Sequence, residues 1–400
     1  MAPSMAKQPP TTAAGGHLAF YTRHGISPVH YASAGLGEHF QRRDALYRAV
    51  GLPPIAFKGA RVLEVAPGSG QNSLYVACRH PAAYELVEPN PTGRRDIEAA
   101  YAALDAPHTA PTLRPVLFED YDADAPFDIV LCENWLGSLP NDLDLIRKLA
   151  GLVAPGGVLV VTAVPLAGFF PNVMRKLLAL RLTEAGADFE ATTERLLAAF
   201  SPHLSTIAGM TRGHRDWVHD CMINPHYLHV ALPFDTLLSA VGADMAVLAS
   251  CPRFTTDWRW FKAMTGAARD YNARFLAAAA ANIPGFLDYR REFPAVDEAA
   301  AGRLSALFAT GYRQALAWQA AHLAAEQGDR AAAAAAIDET LATLGEALAC
   351  LDPGYRSAYE ELRALWNRAE ITPEAVASPR HFGGLFGRET VYVSLTRALA

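Results

Sequence analysis

Two carboxylates and a glycine turn stand out in the first quarter of this 400-residue sequence. Glu64 lies four residues ahead of Gly68 in Glu64-Val-Ala-Pro-Gly-Ser-Gly70, and Glu88 follows Gly70 by eighteen residues. Glycines let a backbone turn tightly and let a ligand approach it. A helix that starts at such a turn offers that ligand its unpaired N–H groups. A carboxylate at Glu88 accepts hydrogen bonds from both hydroxyls of a ribose. Two classes of nucleotide cofactor use a turn of this kind. A dinucleotide site wants the third glycine of G-x-G-x-x-G, and Ser73 stands there instead. The Glu64 carboxylate also repels a pyrophosphate and suits a cationic cofactor.

A second group lies further on, in His214-Arg-Asp-Trp-Val-His-Asp-Cys-Met-Ile-Asn-Pro-His-Tyr-Leu-His229. Histidine titrates near neutrality, so His219 or His226 is a candidate general base. Asp220 or Asp216 is then the carboxylate that orients it. The rival reading is a metal held by His219, His226, His229 and Asp220, but the spacing matches no strong metal signature and no metal is expected. Cys251-Pro-Arg-Phe254 and Asp257-Trp-Arg-Trp-Phe261 are suited either to grip a sugar or anionic acceptor or to pack against the helices that follow.

These residues need elements to hold them. Strands are expected at Arg61–Val65, Tyr84–Val87, Leu113–Phe118, Phe127–Cys132 and Val158–Thr162. Helices are expected between them, over 71–79, 94–104 and 142–153, with Pro155-Gly-Gly157 as a turn. Short continuous apolar strands separated by helices imply parallel strands covered on both faces. Right-handed crossovers then produce a doubly wound sheet. Residues 166–204 read as helical, 234–241 as a helix and 245–250 as a sixth strand. Residues 261–369 are helical and rich in alanine, with long helices over 302–326 and 329–351 broken at Gly328. The tail 387–397 alternates like a strand, the seventh, and is expected to return to the sheet.

Composition excludes several classes. The formal charge is −6 with no run of Lys or Arg, which disfavours a nucleic-acid partner. Arg42-Arg43 and Arg94-Arg95 are isolated pairs. Five scattered cysteines, without a CxxC, read as free thiols in a reducing cytoplasm. No stretch is long and apolar enough for a membrane span.

The motifs together resemble the class I S-adenosylmethionine (SAM)-dependent methyltransferases of bacteria. Val62-Leu-Glu-Val-Ala-Pro-Gly-Ser-Gly70 is similar to their first motif, and Leu86-Val-Glu-Pro-Asn90 to the acid after the second strand. Phe127-Asp-Ile-Val-Leu-Cys-Glu-Asn-Trp135 and Leu152-Val-Ala-Pro-Gly-Gly-Val-Leu159 resemble the fourth strand and the turn before the fifth. Residues 61–164 carry this match. The resemblance implies SAM as cofactor, with Glu64, Gly68 and Gly70 around its methionine moiety, Asn72 and Pro89 nearby, and Glu88 on the ribose. It implies Glu119 or Asp120 beside the adenine, and Glu133, Asn134 and Trp135 between cofactor and acceptor. Ala66 replaces the first glycine of the family pattern, which is tolerable if φ there stays negative. Phe20-Tyr-Thr-Arg-His-Gly-Ile-Ser-Pro-Val-His-Tyr31 resembles the family's N-terminal leader, so that Tyr21, His24 and His30 face cofactor or acceptor.

The fold expected is α/β, a Rossmann-like, doubly wound, mostly parallel seven-stranded sheet with a large α-helical region. Residues 1–16 are expected to be a disordered N-terminus and 17–57 a helical cap. Residues 58–255 are expected to be the SAM-binding core, with an acceptor-side insertion at 165–230. Residues 256–386 are the helical region, an acceptor lid or dimer interface, and 387–400 the returning strand. The activity expected is O- or N-methylation of a small-molecule or sugar acceptor, the chain being a possible homodimer. A nicotinamide-dependent oxidoreductase and a non-catalytic SAM-fold partner protein are the alternatives.

Overall fold

The computed structural model describes residues 16–27, 35–183 and 186–399. Two N-terminal helices come first, α1 (His17–His24) and α2 (Leu36–Ala49). The alternating core follows: β1 (Arg61–Val65), α3 (Ser73–Ala77), β2 (Ala83–Val87), α4 (Pro91–Ala102), β3 (Thr112–Arg114), β4 (Phe127–Cys132), α5 (Asp142–Gly151) and β5 (Val153–Ala163). Next come α6 (Leu166–Leu182), α7 (Phe189–Leu204), α8 (His214–Trp217), a π-helix over Val218–Ile223, α9 (Phe234–Val241) and β6 (Met245–Cys251). Helices α10 (Tyr271–Ala281), α11 (Ile283–Leu287), α12 (Glu298–Leu323), α13 (Gln327–Ala349), α14 (Pro353–Trp366) and α15 (Pro373–Ala377) precede β7 (Val391–Arg397).

The strands form one seven-stranded sheet in the order β3-β2-β1-β4-β5-β7-β6. Strands β1 to β5 pair in parallel, and β7 runs antiparallel between β5 and β6. The strand order reverses between β1 and β4, and ligands of such sheets bind beyond the carboxyl ends at that switch point. Val62, Leu63, Val130, Leu131, Val160 and Val161 are fully buried, which explains the unbroken apolar runs of the central strands. One hydrophobic cluster joins the sheet to α6, α12, α13 and α14, so the helical array shares its core with the sheet.

Several expected boundaries shift. Strand β3 stops at Arg114, because Val116 and Leu117 are exposed and Phe118 turns inward in a 3-10 helix. Pro155-Gly-Gly157 lies within β5 rather than in a turn before it. The stretch 166–204 is two helices. The break between the long helices falls at Ala324-Ala325-Glu326, where Ala325 takes a left-handed φ of 58°, and Gly328 sits inside α13. Trp258, Trp260 and Phe261 do not pack on the helices; they stay exposed, while Phe254 joins Phe234, Phe275 and Phe286. No helix among the described residues is long and apolar enough to cross a membrane.

Candidate cofactor and acceptor site

Three adjacent strands deliver three carboxylates to the switch point. Glu64 is next to last in β1, Glu88 directly follows β2 and Glu133 directly follows β4. Strands lie about 5 Å apart, so the three acids span roughly 10 Å. Glu88 is buried, and its carboxylate accepts from the Gly68 amide at 3.0 Å and from the Asn90 amide at 2.8 Å. It thereby ties the glycine turn to the start of α4. Burial pushes the Glu88 carboxyl up to about 7. Glu64 is pushed up to about 7 as well, by burial first and then by Glu133, although the Tyr84 hydroxyl donates to it. An ionised carboxylate has more lone pairs than these amides occupy, so Glu88 can still accept from a ribose.

The turn itself is tightly packed. A Cβ on Gly70 would lie 2.6 Å from Ile97, and one on Gly93 would lie 2.9 Å from the Gly68 carbonyl and 3.2 Å from Glu88. Ala66 departs from expectation: its φ is +56°, not negative. Its amide donates to the Val87 carbonyl at 2.9 Å, and this bond to β2 holds the residue in a conformation glycine would adopt freely. Asn72 is half-buried at the start of α3 and caps nothing with its side chain. The Pro89 carbonyl accepts from Arg94 at 2.6 Å.

Glu133 is clamped from above by α2. The Arg43 guanidinium meets both its oxygens at 2.6 and 2.8 Å, and the Tyr47 hydroxyl donates to it at 3.0 Å. The ion pair is almost wholly buried, so each charge depends on the other. Arg43 and Tyr47 escaped the sequence reading; their i,i+4 spacing was the available signal. Asn134 is exposed at a φ of +56°, and Trp135 packs edge-on against Phe118. Glu119 and Asp120 do not end a strand. They are exposed on a 3-10 turn, with Glu119 accepting from Asn141 at 3.3 Å.

The histidine-rich segment meets α1. The Tyr21 hydroxyl donates to Asp220 at 2.5 Å, and Arg212 donates to its other oxygen at 2.7 Å. Both Asp220 oxygens are thus engaged by Tyr21 and Arg212. Arg212 holds the Asp220 carboxyl below its usual range against the effect of burial. His219 faces α7 instead, within 3.2 Å of the Thr193 hydroxyl and against the Phe189 ring. His24 stacks on the same Phe189 ring at 4.1 Å. His226 lies 5.5 Å from the ring of His17, whose Nδ1 is 2.7 Å from Asn224. Burial drives His17 down to about 4, and its Nε2 is buried without a hydrogen-bond partner. Buried Lys176 fixes the segment from below, donating to the Met222 and Asn224 carbonyls at 2.6 and 2.9 Å. His30 lies outside the described residues. Among the described residues, no three His, Cys, Asp or Glu side chains converge as metal ligands.

A chain of hydrogen bonds joins the two halves. The Asn90 amide holds Glu88, and its side chain donates to the Ile26 carbonyl at 3.3 Å. The Ile26 amide donates to the Tyr21 carbonyl at 3.0 Å, and the Tyr21 hydroxyl reaches Asp220.

Residues 38–200 match the family model described as a methyltransferase domain. That stretch, less than half of the chain, is thus similar to methyltransferase domains. Solved structures with partial likeness include a SAM-dependent methyltransferase from Mesorhizobium loti, at 17% identity, a TM-score of 0.27 and coverage of 34% of this chain and 57% of that one. The N-methyltransferase NodS from Bradyrhizobium japonicum, in complex with S-adenosyl-L-homocysteine, matches at 17% identity and a TM-score of 0.27 over 32% of this chain and 62% of its own. SAM-bound CalS10, an amino pentose methyltransferase from Micromonospora echinaspora, matches at 22% identity and a TM-score of 0.25 over 32% of this chain and 51% of its own. This chain thus spans little more than half the length of these neighbours, and its own strand order defines its fold. No curated protein matches it.

Proposed function

We propose that this chain transfers the methyl group of SAM to an oxygen or nitrogen of a small-molecule or glycan acceptor. The observation that carries this reading is the convergence of Glu64, Glu88 and Glu133 at the β1/β4 switch point, where Arg43 pairs with Glu133 and leaves the Glu64 and Glu88 carboxyls without a paired cation in hydrogen-bond contact among the described residues. Buried acids there suit a sulfonium and oppose the pyrophosphate of a nicotinamide dinucleotide. Gly70 and Gly93 let the turn pack directly on α4, against Ile97 and Glu88, which holds Glu88 at the turn where a ribose would meet it.

When bound, SAM supplies an electrophilic methyl group for in-line displacement. Glu88 holds the ribose hydroxyls, and Glu64 lends negative charge to the cationic end. The acceptor would lie beneath α1, beside the polar cluster in which Asn224 meets the His17 Nδ1 and the Tyr21 hydroxyl and the His226 ring lies against His17. His226 is the candidate base for a hydroxyl or ammonium acceptor. His219, on α7, is the less favoured one, and Asp220 anchors Tyr21 rather than a histidine. Five unpaired cysteines agree with a reducing, cytoplasmic setting.

Production of S-adenosyl-L-homocysteine across a panel of hydroxyl- and amine-bearing sugars and metabolites tests the reading. Turnover with at least one acceptor is expected, with a loss of about 100-fold in His226→Ala. Ala66, at a φ of +56° within the turn, favours a second reading, a SAM-binding partner without turnover. Cofactor binding without turnover on any acceptor would support that second reading.

A further inference from the structure

The helical array holds a separate cavity of about 650 Å³. Its walls come from α6, α7, α12, α13 and the stretch after α14. Helix α6 leaves the carboxyl end of β5 at Leu166, and Arg181 is fifteen residues on, about 22 Å along the axis. This cavity is therefore distinct from the switch-point site.

Arg181, Arg195 and Arg330 all line it, and Glu370 is the one carboxylate among the lining residues. The Arg181 guanidinium is held by the Trp366 and Arg368 carbonyls, which fix it without neutralising it. The side chains of Arg195 and Arg330 make no hydrogen bond and no ion pair among the described residues; Glu374 is the acid near enough to feel Arg195. Buried Trp318 and Trp366 meet at 5.2 Å, and His322 stacks on Trp318 at 4.8 Å. The Nδ1 of His322 is buried without a hydrogen-bond partner. The first turn of the 23-residue α13, through Gln327 and Arg330, reaches the same cavity with no side-chain cap on its N–H groups. Helix starts carry partial positive charge, so this turn adds to the field of the arginines.

Three guanidinium groups share one cavity against one lining carboxylate, Glu370, with Glu374 acting on Arg195, so positive charge is in excess. They repel one another, and Arg330 and Arg181 add to burial in holding His322 neutral. Guanidinium forks match the geometry of carboxylate and phosphate oxygens. We propose that this cavity binds a small, multiply charged anion bearing phosphate or carboxylate groups. The site stands independently of the methyl-transfer reading, since it uses none of the same residues.

Calorimetric titration of the full chain with pyrophosphate and, separately, with citrate tests it at fixed ionic strength. Saturable one-site binding of at least one probe is expected, weakened about tenfold or more in Arg195→Ala/Arg330→Ala. Pyrophosphate alone identifies a phosphate-bearing ligand, citrate alone a polycarboxylate, and both a site that reads charge only. Neither arginine holds the fold by a hydrogen bond, and circular dichroism with the single variant Arg330→Glu guards against misfolding. No saturable binding of either probe up to about 10 mM, or equal affinity in the folded variants, overturns the proposal.

Discussion

The cofactor side and the acceptor side of this domain are held together by different kinds of contact. On the cofactor side Glu88 and Glu64 are pinned by groups close in sequence, and only Glu133 is held from further off, by Tyr47 and Arg43 at 86 and 90 residues. Glu88 takes amides two and twenty residues away, and Tyr84 reaches Glu64 over twenty. On the acceptor side the pins cross the whole chain. Tyr21 and Asp220 are 199 residues apart, His17 and Asn224 are 207 apart, and Tyr227 of the histidine-rich segment donates to Glu389, 162 residues on. Short-range pins form with the turn itself, so the Glu64 and Glu88 part of the first site depends on local geometry. The second exists only once α1, the π-helix and the strand-β7 approach have docked, which makes it the natural place for acceptor specificity to be built.

The two sides also respond oppositely to pH. Glu64 and Glu88 are raised to about 7 in the folded chain. Their neutral forms stabilise the fold fully below the unfolded carboxyl value of about 4.5, and that contribution is lost as pH rises through about 7. His17 is lowered to about 4, so its contribution is present above about 6.5 and lost as pH falls toward 4. Urea unfolding across pH 4.5–8 should separate them. Relative to Glu88→Gln, the ligand-free wild type should lose on the order of 3 kcal/mol over that range. Relative to His17→Gln it should gain about 1–2 kcal/mol, the smaller effect reflecting a ring that is not fully enclosed. Parallel pH profiles for all three proteins would erase the contrast.

A smaller effect sharpens the acceptor side. Asp220→Ala leaves Arg212 and Tyr21 without their shared partner, and about 2 kcal/mol of stability should go with it. A double-mutant cycle with Tyr21→Phe should show coupling of about 1 kcal/mol. Additive losses would mean that α1 is not held through this aspartate. The smallest effect is local to the turn. Ala66→Gly relieves a left-handed alanine at a cost in chain entropy, for a net gain of about 0.5 kcal/mol. A loss of stability there would show that the Ala66 methyl packs usefully.

The same contrast explains what could be read in advance. Strands β1 and β4 and helix α9 fall at the residues expected, because unbroken apolar runs and a strong amphipathic stripe are local signals. The pairing of a glycine turn with Glu64 and Glu88 was legible for the same reason. The positive φ of Ala66 is not legible in the sequence, because the bond that accompanies it goes to the Val87 carbonyl on a neighbouring strand. Asp220 was assigned to a histidine beside it in sequence, while its real partners are Arg212 and a tyrosine from the far end of the chain. Arg43 reads in the sequence only as half of an isolated basic pair, because nothing near it announces Glu133 as its buried partner.

Calorimetric titration with SAM near pH 6.5, in two buffers of different ionisation enthalpy, tests the central claim most directly. Ribose hydroxyls and a sulfonium both favour ionised carboxylates, so wild type should bind SAM at one site and release protons. Glu88→Gln should bind about 30-fold more weakly and release fewer, and NAD(H) should not bind. Equal SAM affinity in Glu88→Gln, or saturable NAD(H) binding in place of SAM, would contradict the account.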